Sequence, residues 1–350
     1  MTEPSTGGKI GYLCSYVPRE IIYAFGRTPV RVLPTAAKAA EAEAYLPRNF
    51  CSLIKVILAT FLEDQADLEG VIHADSCDGL RRLHDVWRYY LNVPTLHLLD
   101  LPRSDTTAGI LYFQHALQKL VEVLEERLQV ELSPDGLAGA IGLHNDQRAL
   151  LAQLEDRWSS GLIASPRYYR LRHQALTLDP LLINETLRSE LAVTAQVGPG
   201  VEPRTRVLLV GSLLTNTELV QAIEIQGARV VAEDSCTTGR EQLARVDVSS
   251  SVDDMLEDLA RAYLGKPPCP RMRYFAGRTQ HLAELIAARK VDGVVASLYK
   301  FCDLFLSEYP VLRERLQAMG IPVLLLEDER DTTLSGQHRT RLEAFLEALQ

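Results

Sequence analysis

Several features that would place this chain in a common protein class are missing from it. No apolar run in the 350 residues is long enough to cross a bilayer, so we expect no transmembrane helix. The N-terminal segment lacks a basic stretch followed by an apolar one, and we therefore expect a cytoplasmic protein. No GxxxxGK[ST] motif is present, so we expect no nucleotide binding through a P-loop.

An excess of positive charge is missing as well. The chain has 37 Lys and Arg against 46 Asp and Glu, and its net charge is -9. Proteins that bind nucleic acids usually carry an excess of positive charge, whereas the net charge of this chain is negative. We therefore expect no nucleic-acid partner and no membrane partner. The hydrophobic and charged fractions, 47% and 24%, are typical of globular proteins, and the length predicts more than one domain.

Cysteine is scarce, and the six cysteines never form a CxxC motif. Their spacing alone therefore indicates neither a zinc ribbon nor a ferredoxin-type cluster. In a reducing cytoplasm we expect thiols or metal ligands rather than disulfides.

The order of apolar and turn residues predicts an α/β fold. Strands alternate with helices near both ends of the chain, which indicates parallel βαβ units. We predict a first Rossmann-like lobe at 1–104, a helical segment at 105–200 and a second Rossmann-like lobe at 201–350. The Pro- and Gly-rich segment 197–205 marks the main boundary.

The two predicted lobes resemble each other in sequence. GVIHADSCDGLRRLHDVWRYYLNVPTLHLLD aligns with GVVASLYKFCD and with the VLRERLQAMGIPVLLLED that follows it. Each copy has a Gly-Val strand, a Cys-Asp turn, a helix, an apolar-Pro pair and a closing strand. This divergent repeat predicts two topologically related lobes that face one another.

The cysteines fall at special positions of this pattern. Cys14, Cys77, Cys236 and Cys302 follow predicted strands, and Cys51 precedes a predicted helix. Parallel sheets bind ligands at the carboxyl ends of their strands, and helix N-termini stabilise thiolates. Thiolates suit zinc and iron–sulfur clusters, so we hypothesise a cysteinyl metal site in the cleft between the lobes. The alternative is a metal-free, two-lobed binding protein whose cysteines are small core residues.

Six segments carry a resemblance to a known family. In order from residue 11 to residue 345, they resemble the 2-hydroxyacyl-CoA dehydratase and benzoyl-CoA reductase family. The segments are GYLCSYVPREIIYAFGRTPVRVLP, NFCSLIK, DSCDGLRRLHDVW, ARVVAEDSCTTGR, DGVVASLYKFCD, and GIPVLLLEDE with GQHRTRLEAF.

The resemblance implies an iron–sulfur enzyme. It assigns cluster ligation between the lobes to Cys51, Cys77 and Cys302. A separate ATP-hydrolysing activator, itself an iron–sulfur homodimer, would supply low-potential electrons for the reduction of a thioester or another small substrate. Three thiolates leave one iron of a 4Fe–4S cluster open, as catalytic zinc sites leave one coordination position open.

The remaining cysteines, Cys14, Cys236 and Cys269, favour one branch of that family. Six ligands per chain resemble the double-cubane cluster proteins, which are homodimers with eight irons per chain. The alternative within the family is one subunit of a 2-hydroxyacyl-CoA dehydratase. It would have a single 4Fe–4S cluster, a homologous partner subunit and a ketyl-radical route for eliminating water.

Three residues are candidate proton donors, namely His73, His84 and Glu20. Histidine titrates near neutrality, but we favour hydrogen-bonded structural roles for both histidines. Glu20 lies early in a predicted helix, where a carboxylate complementing the helix dipole is at least as good an explanation.

Other polar residues flank the motifs. For Asp78 and Asp303 we favour helix N-caps over a role in tuning a cluster. Arg81, Arg82 and Arg88 either form a solvated helix face or meet an acidic partner or a coenzyme A phosphate. Gln337, Arg339 and Arg341 belong to the resembling C-terminal segment, and no chemical role is assigned to them.

Overall fold

The fold consists of two parallel sheets with helices around them. The computed structural model describes residues 7–34, 39–63, 67–194, 203–214, 217–273, 275–328 and 334–350. Within these ranges it has two four-stranded sheets and twelve α-helices, which confirms the predicted α/β class.

The first sheet has the strand order β2-β1-β3-β4, and every neighbouring pair is parallel. Its central strand β3 is buried along its whole length, as expected when helices cover both faces of a parallel sheet. The elements of this lobe are β1 (Lys9–Tyr12), α1 (Arg19–Ala24), β2 (Thr28–Arg31), α2 (Ser52–Glu63), β3 (Gly70–Ala74), α3 (Asp78–Tyr90) and β4 (Thr95–Leu99).

Four long helices follow, as the sequence pattern predicts. They are α4 (Thr107–Leu128), α5 (Pro134–Ser159), α6 (Ser165–Thr177) and α7 (Pro180–Thr194). The Ser133 hydroxyl accepts a hydrogen bond from the Gly136 N–H at 3.0 Å and so caps α5. These helices divide between two cores, because α4 packs into the core of the first sheet and α6 and α7 into that of the second.

The second sheet has the order β6-β5-β7-β8, again parallel throughout. This order repeats that of the first sheet strand for strand, which confirms that the two halves are topologically related. The elements are β5 (Thr205–Gly211), α8 (Glu218–Ile225), β6 (Ala228–Asp234), α9 (Val252–Gly265), α10 (Phe275–Arg289), β7 (Gly293–Tyr299), α11 (Asp303–Ala318), β8 (Val323–Asp328) and α12 (Gly336–Ala348).

One helix crosses between the halves. Helix α9 follows β6 in sequence, yet Met255, Leu259 and Tyr263 are buried in the core of the first sheet. The lobe boundaries at 104 and 200 remain predictions, since the Pro- and Gly-rich segment lies mostly outside the described residues. None of the helices in the described ranges is both long and apolar enough to cross a membrane.

Candidate metal centre between the lobes

Three cysteines from the two lobes line one cavity of about 260 Å³. Cys51 and Cys77 come from the first lobe, and Cys302 comes from the second. The lobes are joined beside this cavity by a backbone hydrogen bond, because the Ser52 N–H donates to the Lys300 carbonyl at 3.1 Å. The cavity therefore lies at the junction of the lobes, where the repeat predicts a site.

Each of these cysteines stands at the start of a helix. Cys51 immediately precedes α2, and Cys77 and Cys302 are the N-cap residues of α3 and α11. The three thiols therefore face the positive ends of three helix dipoles, which favours negative charge on sulfur.

The predicted capping roles of Asp78 and Asp303 are wrong, because each is the first residue of its helix. At α3 the cap bond goes to sulfur, since the Leu80 N–H donates to Cys77 Sγ at 3.3 Å. Asp78 instead turns toward solvent, where it pairs with Arg82 at 3.5 Å. Both aspartates line the cysteine cavity.

Two local features shape the cavity. Phe301, directly before Cys302, has a φ of 60°, a left-handed conformation that is uncommon outside glycine and concentrates at functional sites. A Cβ at Gly79 would lie 3.0 Å from Ile54 Cγ1 and 3.7 Å from Cys77 Sγ. Glycine therefore keeps the space beside the Cys77 sulfur open.

The thiols influence one another. A hydrogen bond from the Cys302 thiol lowers the pKa of Cys51, although burial opposes this effect. The same hydrogen bond and burial raise the pKa of Cys302, and burial raises the pKa of Cys77 to about 12. In the metal-free protein the Cys302 thiol therefore donates to Cys51, whereas a bound cation would deprotonate the thiols.

The other three cysteines gather close by. Cys14 follows β1, Cys236 follows β6, and Cys269 lies in the loop between α9 and α10. Burial, with smaller contributions from the Cys236 and Cys14 thiols, raises the pKa of Cys269 to about 12. Cys269 lines a second cavity of about 330 Å³. Asp303 and Leu304 line both cavities, so the cavities adjoin at the start of α11.

Buried cations surround these sulfurs, and they were not singled out from the sequence. Arg240 donates to Cys236 Sγ at 3.4 Å. Lys266 donates to the Ser15 carbonyl beside Cys14, and burial lowers its pKa to about 8. Arg271 lines the cavity that holds Cys77. Arg240 lies four residues after Cys236, and Arg271 lies two residues after Cys269. This short spacing is the one feature of the sequence that could have indicated these two arginines.

The three thiols line a common cavity, and a hydrogen bond joins Cys302 to Cys51. Among the described residues, no group of three or more His, Cys, Asp or Glu side chains is placed to bind a single metal ion. An iron–sulfur cubane binds each cysteine through a different iron, so its ligands stand further apart than those of one ion. The thiols and the cavity of about 260 Å³ suit such a cluster better than they suit zinc.

The three candidate proton donors do not line either cysteine cavity in the described part of the chain. Glu20 is fully buried and accepts hydrogen bonds from Arg148 at 2.6 Å and from the Tyr263 hydroxyl at 2.7 Å. Burial is the largest single influence and raises its pKa, but Arg148, His144 and Arg19 together outweigh burial and lower the pKa to about 2. Glu20 is thus held as a carboxylate, which is a poor proton donor.

His73 and His84 pack together in the core of the first lobe, with ring centroids 5.2 Å apart. Neither ring nitrogen of His73 has a hydrogen-bond partner among the described residues, so the predicted hydrogen-bonded role of His73 is wrong. The Nδ1 of His84 lies 3.6 Å from Asp85 Oδ1, beyond hydrogen-bond distance, and burial lowers the pKa of His84 although Asp85 opposes this.

His73 should make the stability of the protein dependent on pH. Burial lowers its pKa from 6.5 to about 3. Below about pH 6.5 the unfolded chain binds a proton at His73 that the folded chain does not bind. The free energy of unfolding therefore falls as the pH falls. The loss is about 2 kcal/mol between pH 7 and pH 5. In urea unfolding, His73→Phe should show a flatter pH dependence than wild type, whereas parallel curves would contradict this account.

The remaining predicted residues lie at the surface. Arg81 pairs with Asp75, and Arg82 pairs with Asp85 at 2.8 Å. Arg88 is exposed in the last turn of α3. In α12, Arg339 pairs with Glu218 of α8 and so fastens the last helix to the second lobe. Gln337 and Arg341 are exposed residues of the same helix.

The fold and the site together define a class: a two-lobed parallel α/β protein with six cysteines gathered where the lobes meet. The family model described as 2-hydroxyglutaryl-CoA dehydratase, D-component, matches residues 14–349. The chain belongs to this family, whose members include subunits of dehydratase and reductase enzymes.

Individual relatives span nearly the whole chain. The putative dehydratase subunit YjiM of Escherichia coli (strain K12) is 29% identical, and the match covers 97% of this chain and 91% of the relative. The beta subunit of (R)-2-hydroxyglutaryl-CoA dehydratase of Acidaminococcus fermentans is 27% identical, with coverages of 97% and 92%. A benzoyl-CoA reductase subunit of Thauera aromatica is 25% identical, with coverages of 90% and 84%.

Proposed function

We propose that the chain is the iron–sulfur reductase component of a two-component enzyme. It takes low-potential electrons from an ATP-hydrolysing activator protein and reduces a small or thioester substrate at a cysteine-ligated cluster. The observation that carries this proposal is that Cys51, Cys77 and Cys302 together line one cavity at the lobe junction. Membership of a family of dehydratase and reductase subunits supports the reaction class.

In this proposal Cys51, Cys77 and Cys302 hold the cluster. When bound, the cluster supplies single-electron reduction at low potential. The protein contributes the positive ends of α2, α3 and α11, which favour the thiolates and the negative charge of the bound group. The buried guanidinium of Arg271 adds a fixed positive charge in the cavity wall.

A double cubane with eight irons per chain is our preferred cofactor. Cys14, Cys236 and Cys269 would supply the additional ligands, and Cys269 lines the cavity that adjoins the first one at the start of α11. The chain would then act as a homodimer in the cytoplasm. It would use an iron–sulfur activator homodimer as its electron donor, because its own sequence has no P-loop.

The second candidate is one subunit of a 2-hydroxyacyl-CoA dehydratase with a single 4Fe–4S cluster. The name of the relative from Acidaminococcus fermentans, a beta subunit, supports it because that name implies a non-identical partner subunit. In this case Cys14, Cys236 and Cys269 remain thiols. The substrate is then an acyl-CoA, and the second subunit is a homologous chain.

Iron and acid-labile sulfide analysis after anaerobic reconstitution tests both candidates. The double cubane predicts about eight irons per chain, and the single cubane predicts about four. A triple Cys14→Ser, Cys236→Ser and Cys269→Ser variant should lose about half of the iron in the first case and none in the second. A wild-type protein that remains metal-free and colourless would contradict both and support a two-lobed binding protein.

A further inference from the structure

We infer that Arg271 is a positioning residue that fixes the Cys77 turn and the Cys269 loop relative to each other. Its side chain is buried and reaches from the loop after α9 to the carboxyl edge of the first sheet. Cys77 and Cys269 belong to different halves of the sequence, so such a link sets the distance between two groups of thiols.

The guanidinium of Arg271 bonds four backbone carbonyls at the ends of two neighbouring strands. It donates to the Ser76 carbonyl at 3.0 Å, to the Asp75 and Leu101 carbonyls at 3.1 Å each, and to the Pro102 carbonyl. Asp75 and Ser76 directly precede Cys77, which caps α3. The side chain therefore holds the peptide segment that carries the Cys77 sulfur.

The backbone of Arg271 is part of the turn at Cys269. Arg271 lies two residues after Cys269, within the turn that follows this cysteine. The Met272 N–H donates to the Cys269 carbonyl at 2.9 Å, which closes the turn between them. Arg271 thus belongs to the closed turn at Cys269 through its main chain, and it binds the Cys77 turn through its side chain.

Only arginine can make this connection. Its planar guanidinium carries five donors in a fixed fork, whereas lysine has one compact ammonium group and glutamine has two N–H donors. Removal of the guanidinium would leave buried carbonyls without donors, so the turn would open more often to regain hydrogen bonds from water. Both cysteines would then become more accessible.

Alkylation of the metal-free protein by iodoacetamide, followed cysteine by cysteine with peptide mass spectrometry, tests the inference. In Arg271→Gln we expect the rates at Cys77 and Cys269 to rise together by about tenfold, while the rate at Cys236 stays at the wild-type value. Arg271→Lys keeps the charge and should raise the same two rates by less. Arg273→Gln is the matched control, because Arg273 lies in the same loop with an exposed side chain and should leave all rates unchanged.

The pattern of rates separates local positioning from general stability. Equal acceleration at all six cysteines in both Arg271 variants, as produced by unfolding, would overturn the inference, and so would unchanged rates at Cys77 or Cys269. The relevance of this positioning to a cluster rests on the proposed function, but the thiol measurement does not. A wild-type protein that binds no iron would contradict the proposed function and leave the alkylation result decisive for Arg271.

Discussion

Replacement of Cys77 by serine is expected to abolish most iron binding while leaving the fold intact. The serine hydroxyl can accept the Leu80 N–H bond that Cys77 Sγ accepts at 3.3 Å, and serine is a strong N-cap. The free energy of unfolding of the metal-free protein should therefore change by less than about 1 kcal/mol. Oxygen is a poor substitute for a soft thiolate ligand, so we expect iron content to fall at least about tenfold.

Two further variants separate ligation from capping. Cys77→Ala removes the ligand and the cap together, so it should lose the same amount of iron and also about 1 kcal/mol of stability. Ser76→Ala alters the neighbouring wall of the cavity without removing a thiol, and it should retain iron. Iron and sulfide analysis measures the effect on ligation, and urea unfolding measures the effect of the lost helix cap on stability. Full iron content with an unchanged visible spectrum in Cys77→Ser would remove Cys77 from the proposed ligand set.

Replacement of Asp234 by alanine is expected to produce a large loss of stability. Asp234 ends β6 and pairs with Arg240 at 2.8 Å and with Arg278 at 2.7 Å. All three side chains are almost completely buried, at 0–1% exposure. Without the carboxylate, the buried Arg240 guanidinium loses its counter-ion while Arg278 retains its pair with Glu308, so we expect a loss of about 3–5 kcal/mol.

A surface pair provides the matched control for this experiment. Asp156 pairs with Arg289 at 2.6 Å, but its side chain is 66% exposed. Asp156→Ala should therefore cost no more than about 1 kcal/mol in the same urea titration. Similar losses of stability in the two variants would contradict the large contribution that we assign to the Asp234 carboxylate in its buried triad with Arg240 and Arg278.

The repeated part of the site could be predicted from the sequence. The Gly-Val strand followed by a Cys-Asp turn occurs twice, and both copies fold into the third strand of a sheet and the helix after it. Cys77 and Cys302 therefore occupy equivalent positions, as the repeat predicts. The prediction of equivalent positions is correct because the alternation of strand and helix is a local property of the chain.

The contacts that bring the lobes together could not be predicted in the same way. Arg271 bonds carbonyls 169 to 196 residues away in the chain, and no local pattern marks such a partner. The capping error at Asp78 has a different cause. Residue preferences favour aspartate as an N-cap, but the extended backbone at Cys77, with φ -156° and ψ 164°, gives that position to the thiol.

The position of α9 has a consequence for synthesis of the protein on the ribosome. The core of the first sheet includes Met255, Leu259 and Tyr263, which are made long after the strands that they cover. The nascent first lobe therefore exposes apolar surface until residue 265 has left the exit tunnel, and such surface is prone to aggregation. Truncated chains that end before α9 should consequently bind chaperones, and cofactor insertion should follow completion of almost the entire polypeptide.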